Sequence, residues 1–299
     1  MQKGLVITPP VIGRISIGRV VEKNGKRLPE KDDQFTLTTQ VQSRDGWVLH
    51  PYDEALRKAS NGKLRSLPVR MLFNDPDLNL RTDYSAFDRE QGRPICVGNG
   101  ETCRRVVDNR VETLPCPSPA GCEFGWKLCK PYARLNVVIG EDELGTFVFR
   151  TTSINSIRTL AARMRYFHAV SGGHLATLPL ELRLRGKSTT QSHRTPIYYV
   201  DLTLPIGMQL GEAIAQAREA AEQRRRDRFD QAALDQAARE SFACGAFEES
   251  TEDGQAVVEE FYPDAEGQEG GQGGDVSGSV TLRDKLTQKV KSQAGDMPR

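Results

Sequence analysis

Hydrophobic and polar positions along this chain repeat with two different periods. From Leu178 to Leu184, Leu178, Leu180, Leu182 and Leu184 are separated by Pro179, Glu181 and Arg183. This period of two predicts a strand with one buried and one wet face. Residues Ile197 to Leu204, rich in β-branched and aromatic side chains, predict a second strand. Between them and a cysteine-rich region the period becomes helical. Over about Ser153 to Val170, Ile154, Ile157, Leu160, Ala161, Met164 and Phe167 fall on one stripe, and Gly172-Gly173 marks its end. Arg158, Arg163 and Arg165 lie on the other faces, as a solvated surface or as contacts for phosphate or an acidic partner.

Elsewhere in residues 1–205 short apolar runs alternate with turn signals such as Asn24-Gly25, Asp45-Gly46 and Asn61-Gly62. The expected fold is α+β, with a strand-rich core domain over 1–205, one main helix and a cysteine-bearing insertion over 96–135. From Gln209 to Ala243 the chain is rich in Ala, Gln, Glu and Arg, with neither Pro nor Gly after Gly211. This predicts a helical appendage over 206–245. Arg224-Arg225-Arg226 sits inside it with acidic neighbours, as expected for ion pairing along a helix. Residues 246–299 are acidic, then Gly- and Gln-rich, and are expected to be a disordered tail. Within that tail, Val257 to Pro263 is an apolar island suited to a docking peptide, and a short terminal helix is expected around Leu282 to Val290.

Charge changes this picture. The net charge is +1, yet residues 246–280 hold ten acidic residues and no Lys or Arg, which leaves +11 on the rest. A moderately basic body suits nucleic acid or an acidic partner. The apolar run at Leu5, Val6 and Ile7 is too short for a signal peptide. No later stretch approaches the ~20 apolar residues of a membrane helix. A soluble cytoplasmic protein without membrane or small-molecule partner is therefore expected.

Candidate chemistry concentrates at Cys96-x6-Cys103-x12-Cys116-x5-Cys122-x6-Cys129, five cysteines in 34 residues with Pro115, Pro117, Pro119, Gly121 and Gly125 among them. In a reducing compartment such a cluster points to metal rather than to disulfides. Tight turns of this kind bring four thiolates around zinc. Arg104 to Val107 and Val111 to Leu114, flanking the turn Asp108-Asn109-Arg110, predict a hairpin that carries Cys103 to Cys116. Cys122 and Cys129 then complete a structural zinc site made by Cys103, Cys116, Cys122 and Cys129. Cys96 is left as a buried thiol or an alternative ligand, and Cys244 stands apart.

Enzyme motifs fail. Gly186-Lys187-Ser188 resembles the end of a P-loop, but Glu181 occupies the position of its required glycine. His168, His174 and His193 come without HExxH or GxSxG. The acid pairs Asp75/Asp77 and Asp83/Asp88 lie where turn geometry alone favours Asp. No catalytic residue is assigned.

Three segments together carry a resemblance: Pro94-Ile95-Cys96-x-Gly98, Cys129-Lys130-Pro131-Tyr132-Ala133-Arg134-Leu135 and Gly145-Thr146-Phe147-x-Phe149-Arg150-Thr151. Over roughly residues 5–205 the chain resembles the recombination directionality factor-like family of phages and integrative elements that use large serine integrases. Relatives in integrative elements are also labelled hydrolase or metal-binding proteins. The resemblance implies an accessory protein without enzymatic activity, which binds the integrase on attachment-site DNA and switches it toward excision. The helix from Ser153 and the hairpin through Val107 are the expected contact surface, with Arg158 and Arg165 as its charges. The long helical and acidic extension has no counterpart in the phage factors. Two other readings stand beside this one: a zinc-stabilised DNA-binding protein of a mobile element, and a metal-dependent hydrolase, which would need an open coordination position.

Overall fold

The computed structural model describes residues 10–23, 26–44, 46–60, 62–125, 128–142, 145–188, 196–242 and 251–262. In chain order the elements are β1 (Val11–Lys23), β2 (Lys26–Ser43), β3 (Gly46–Leu49), α1 (Pro51–Ala59), β4 (Ser66–Met71), α2 (Pro76–Asn79), β5 (Leu80–Asp88) and β6 (Arg93–Gly98). They continue with β7 (Thr102–Val107), β8 (Arg110–Pro115), α3 (Ser118–Gly121), β9 (Lys130–Val138), β10 (Thr146–Thr151) and α4 (Ile154–Ser171). After a 3-10 turn at Leu175–Thr177 come β11 (Leu180–Lys187), β12 (Ile197–Thr203), α5 (Leu210–Arg226), α6 (Gln231–Phe242) and α7 (Thr251–Phe261).

The strands hydrogen-bond in the order β3-β2-β1-β10-β9-β5-β6-β7-β8, with β4 pairing both β9 and β11, and β11 pairing β12. The β1–β10 pair is parallel, with Arg14 opposite Val148 and Ile15 opposite Phe149. This α+β architecture, an open strand-rich sheet with several helices, agrees with the fold class expected from the sequence pattern.

One core underlies the sheet. Ile15, Leu37, Leu135, Val137, Phe147 and Phe149 from the central strands meet Leu67, Val69, Leu180, Leu182, Val200 and Leu202 from β4, β11 and β12. Helix α4 fills the space between with Ile157, Leu160, Met164 and Phe167. Ser153 caps α4 by accepting from the Ser156 amide, and Gly172 ends it in the left-handed region at φ 71°. Ile154 departs from the expected stripe. It stands in the first turn, 48% exposed, before the helix meets the sheet.

The carboxy-terminal elements pack more closely than their composition suggests. Ala213 and Ala217 of α5 lie in the main core, and Ala238 of α6 packs with Leu72, Phe73 and Leu78. Small side chains let these helices approach, so 206–242 is joined to the body rather than appended to it. Within the segment expected to be disordered, residues 251–262 instead form α7, with Val257, Val258 and Tyr262 buried against Phe87 and Tyr132. Val257, Val258 and Tyr262 of the apolar island noted in the sequence thus form the buried stripe of this helix. The expected terminal helix around Leu282 to Val290 lies outside the described residues.

Leu160 is fully buried in the core. Leu160→Ala is expected to lower unfolding free energy by about 2–5 kcal/mol in urea titration, whereas Ile154→Ala should stay within about 0.5 kcal/mol.

Candidate metal centre

Strands β5 to β8 form one edge of the sheet, and their register gathers the cysteines. Cys96 on β6 faces Arg105 on β7, and Gly98 faces Cys103. Cys103 in turn faces Leu114 on β8, and the Cys116 amide just beyond β8 donates to the Glu101 carbonyl at 2.8 Å. The hairpin that joins β7 to β8 turns on Asp108 and Asn109 alone, both at positive φ (48° and 59°). This is the two-residue turn that suits the twist of paired strands, one residue tighter than the expected Asp108-Asn109-Arg110.

Two glycines make room for sulfur. A Cβ on Gly98 would stand 2.7 Å from Cys103 Cβ and 2.9 Å from Cys116 Sγ. A Cβ on Gly125 would lie 2.8 Å from Cys129 Cβ and 3.5 Å from Cys122 Sγ. The Gly125 amide donates to Cys122 Sγ at 3.3 Å, and the Cys129 amide donates to the Gly125 carbonyl at 2.9 Å. Hydrogen bonds to Gly125 thus tie both Cys122 and Cys129 to one point just before β9.

All five cysteines are free thiols, with Cys96, Cys103 and Cys116 buried and Cys122 and Cys129 half-buried. Burial, a hydrogen bond with Cys96 and the neighbouring Cys116 together push the Cys103 thiol up to about 11. Cys129 is pushed up to about 12 by burial and then by Cys96, Cys116, Cys122 and Cys103. At neutral pH these two thiols hold their protons, and any metal must displace them.

Arg105 enters the cluster from β7. Its Nη2 lies 3.6 Å from Cys122 Sγ, and its guanidinium lies 4.1 Å over the Phe124 ring. Burial pulls its pKa down, but the bond to Cys96 and the other thiols outweigh this and raise it. Its Nε is buried without a hydrogen-bond partner among the described residues. Spacing alone pointed neither to Arg105 nor to a central Cys96. Both follow from the β6–β7 register, which sets them opposite each other.

Among the described residues no group of three or more His, Cys, Asp or Glu is arranged to hold a metal ion. By donor type alone, five thiols with an amide aimed at one sulfur and a cation beside them are of the kind that suits a soft divalent metal. Cys244 and His193 lie outside the described residues.

The remaining candidates have structural partners. His168 Nδ1 lies 2.8 Å from the Asn74 carbonyl, and Glu181 accepts from Ser66 Oγ and pairs with Arg183. Lys187, at the end of β11, donates to Asn155. Asp75 accepts from the Asp77 amide as the cap of α2, and Asp88 accepts from the Glu90 and Gln91 amides. Asp83 stands 3.9 Å from Arg134, its carboxyl raised by burial against the pull of that charge. No described helix is long and apolar enough to cross a membrane.

A strand-rich α+β body with a thiol cluster at one sheet edge defines the structural class of this protein. Within that class the chain belongs to the recombination directionality factor-like family, whose model, Gp3-like, matches residues 12–205. Membership places it among proteins of DNA recombination in phages and mobile elements. No curated protein and no solved structure matches it. The family match ends after β12, so α5, α6 and α7 lie beyond it.

Filling the space opposite Cys103 should disturb the cluster without touching a thiol. Gly98→Val is expected to cost about 1–3 kcal/mol and to raise the number of cysteines titrated by Ellman's reagent in the native protein.

Proposed function

We propose that this protein is a non-enzymatic accessory factor that binds a site-specific recombinase of the large serine integrase type on its DNA and biases it toward excision. The family match over residues 12–205 carries this reading. Such a switch requires no bond chemistry. The factor must bind the excision-competent arrangement more tightly than the alternative, and moving a population from 1:99 to 99:1 takes about 5.5 kcal/mol of such preference. The proposed contact surface includes the exposed face of α4. There Arg158 is exposed, and Arg165 makes a solvent-facing ion pair with Asp77 at 3.3 Å. An exposed pair of this kind contributes little to stability, so Arg165 can exchange partners at small cost.

A structural zinc ion belongs to the proposal. Four of the five cysteines would hold it, with Cys103, Cys116, Cys122 and Cys129 as the expected set and Cys96 as the alternative. When bound, zinc supplies folding stability by tying the β7–β8 hairpin to the entry of β9. Four thiolates around one divalent ion carry net negative charge, and Arg105 offsets it. This favours a closed site that holds a surface in shape.

Excision and integration by the purified integrase of the same element, with and without this protein, test the function. Wild type should raise the excision product and suppress integration. Arg158→Glu with Arg165→Glu should weaken integrase binding at least tenfold, about 1.4 kcal/mol, with an unchanged melting temperature. Binding to attachment-site DNA without integrase, falling steeply with salt, would point instead to a DNA-binding protein. For the zinc site, elemental analysis should find one equivalent of zinc per chain, lost with stability in Cys116→Ser and Cys129→Ser. Metal-free wild type with unchanged melting of both variants would remove it.

A further inference from the structure

Four arginines cross the face of the central sheet opposite the core. Arg150 of β10 is directly opposite Arg134 of β9, which is directly opposite Arg81 of β5. Arg14 of β1 pairs with Val148, two residues before Arg150 and on the same face. Like charges opposed across a sheet destabilise it, and Asp83 of β5, 3.9 Å from Arg134, supplies countercharge to this row from within the sheet. Next to it Tyr132 and Phe87 form an aromatic step, with ring centroids 5.7 Å apart.

Helix α7 lies on this face. Asp253 pairs with Arg150 at 2.9 Å, and Glu260 lies beside the row, where burial raises its carboxyl pKa against the opposing pull of Arg14 and Arg150. Val257, Val258 and Tyr262 are buried on the aromatic step. The Tyr262 hydroxyl donates to the Ser85 carbonyl at 2.9 Å, and Lys130 donates to the Phe261 carbonyl at 2.9 Å, where a cation suits a helix C-terminus. The backbones also fit closely. Any Cβ on Gly254 would land on the Gly92 carbonyl, and one on Gly92 would lie 2.6 Å from the Gln255 amide.

Asp253, Val257 and Glu260 follow the i, i+4, i+7 spacing of one helix face, so α7 presents acid and apolar groups on a single stripe. The residues named here that α7 meets lie within 12–205, whereas α7 itself lies outside the family match. We infer that the arginine row with its aromatic step is a docking surface for an acidic amphipathic helix of a protein partner, and that α7 occupies it in cis. Tethering gives α7 an effective concentration on the order of millimolar. A helix in trans therefore competes for the small open fraction and binds with its affinity reduced by that fraction. The inference goes beyond the recombinase reading and does not rest on it.

The test uses the full chain with a protease site introduced within 243–250, and as probe a fluorescein-labelled peptide of residues 249–264. Cutting removes the tether and leaves every other residue in place. The peptide should bind the cut protein at least tenfold more tightly than the uncut protein. Uncut protein carrying Val257→Asp and Tyr262→Ala should also bind it, and a peptide with Asp253→Lys and Glu260→Lys should bind no form. Equal binding to cut and uncut protein, or no binding to any form, overturns the inference. So does salt-sensitive binding of duplex DNA by the cut protein in place of the peptide, or exchange of α7 between two uncut copies, seen as energy transfer between differently labelled chains. No recombinase enters the assay, so its failure and that of the accessory-factor reading are separately visible.

Discussion

Strand β9 is the constraint on which the other features depend. It pairs with β10, β5 and β4, and its alternation is strict: Ala133, Leu135 and Val137 are fully buried in the core while Tyr132 and Arg134 face the other way. A shift of one residue would put arginine into the core and leucine into water, so the buried face fixes the register. With that register set, Arg134 must stand between Arg81 and Arg150. Cys129 must likewise stand at the strand's mouth, beside the edge formed by β6, β7 and β8.

What the sequence made legible was local. Helix α4 and strands β11 and β12 could be read because their periods are complete within one segment, and the β7–β8 hairpin because Asp108-Asn109 tolerates positive φ. The thiol cluster was visible because five cysteines crowd a short span. The place of Cys96 was less visible, because its neighbour Arg105 is set by cross-strand register and not by spacing. The arginine row was illegible for the same reason: Arg14, Arg81, Arg134 and Arg150 come from four separated strands, and only pairing brings them together. Helix α7 was legible only as the apolar island Val257 to Pro263, and its helical form was missed for a different reason. Ten carboxylates over residues 246–280 set the average of that window, while binding depends on Val257, Val258 and Tyr262 at helical spacing. The alanines of α5 and α6 misled in the same direction, because small side chains look unpartnered in sequence yet permit the closest helix packing.

The two proposed sites meet at the start of β9. Cys129 belongs to the thiol cluster, and the next residue, Lys130, reaches the C-terminal carbonyl of α7. Tyr262, at the end of that helix, is close enough for the charge of Cys129 to raise its hydroxyl pKa, after the larger effect of burial. A metal that fixed Cys129 would therefore fix the residue that anchors α7, and the order of one site would support the other. Such coupling needs no change of fold. It requires only that the first turn of backbone into β9 have a tighter and a looser state, with thiol ligation and helix docking both favouring the tighter.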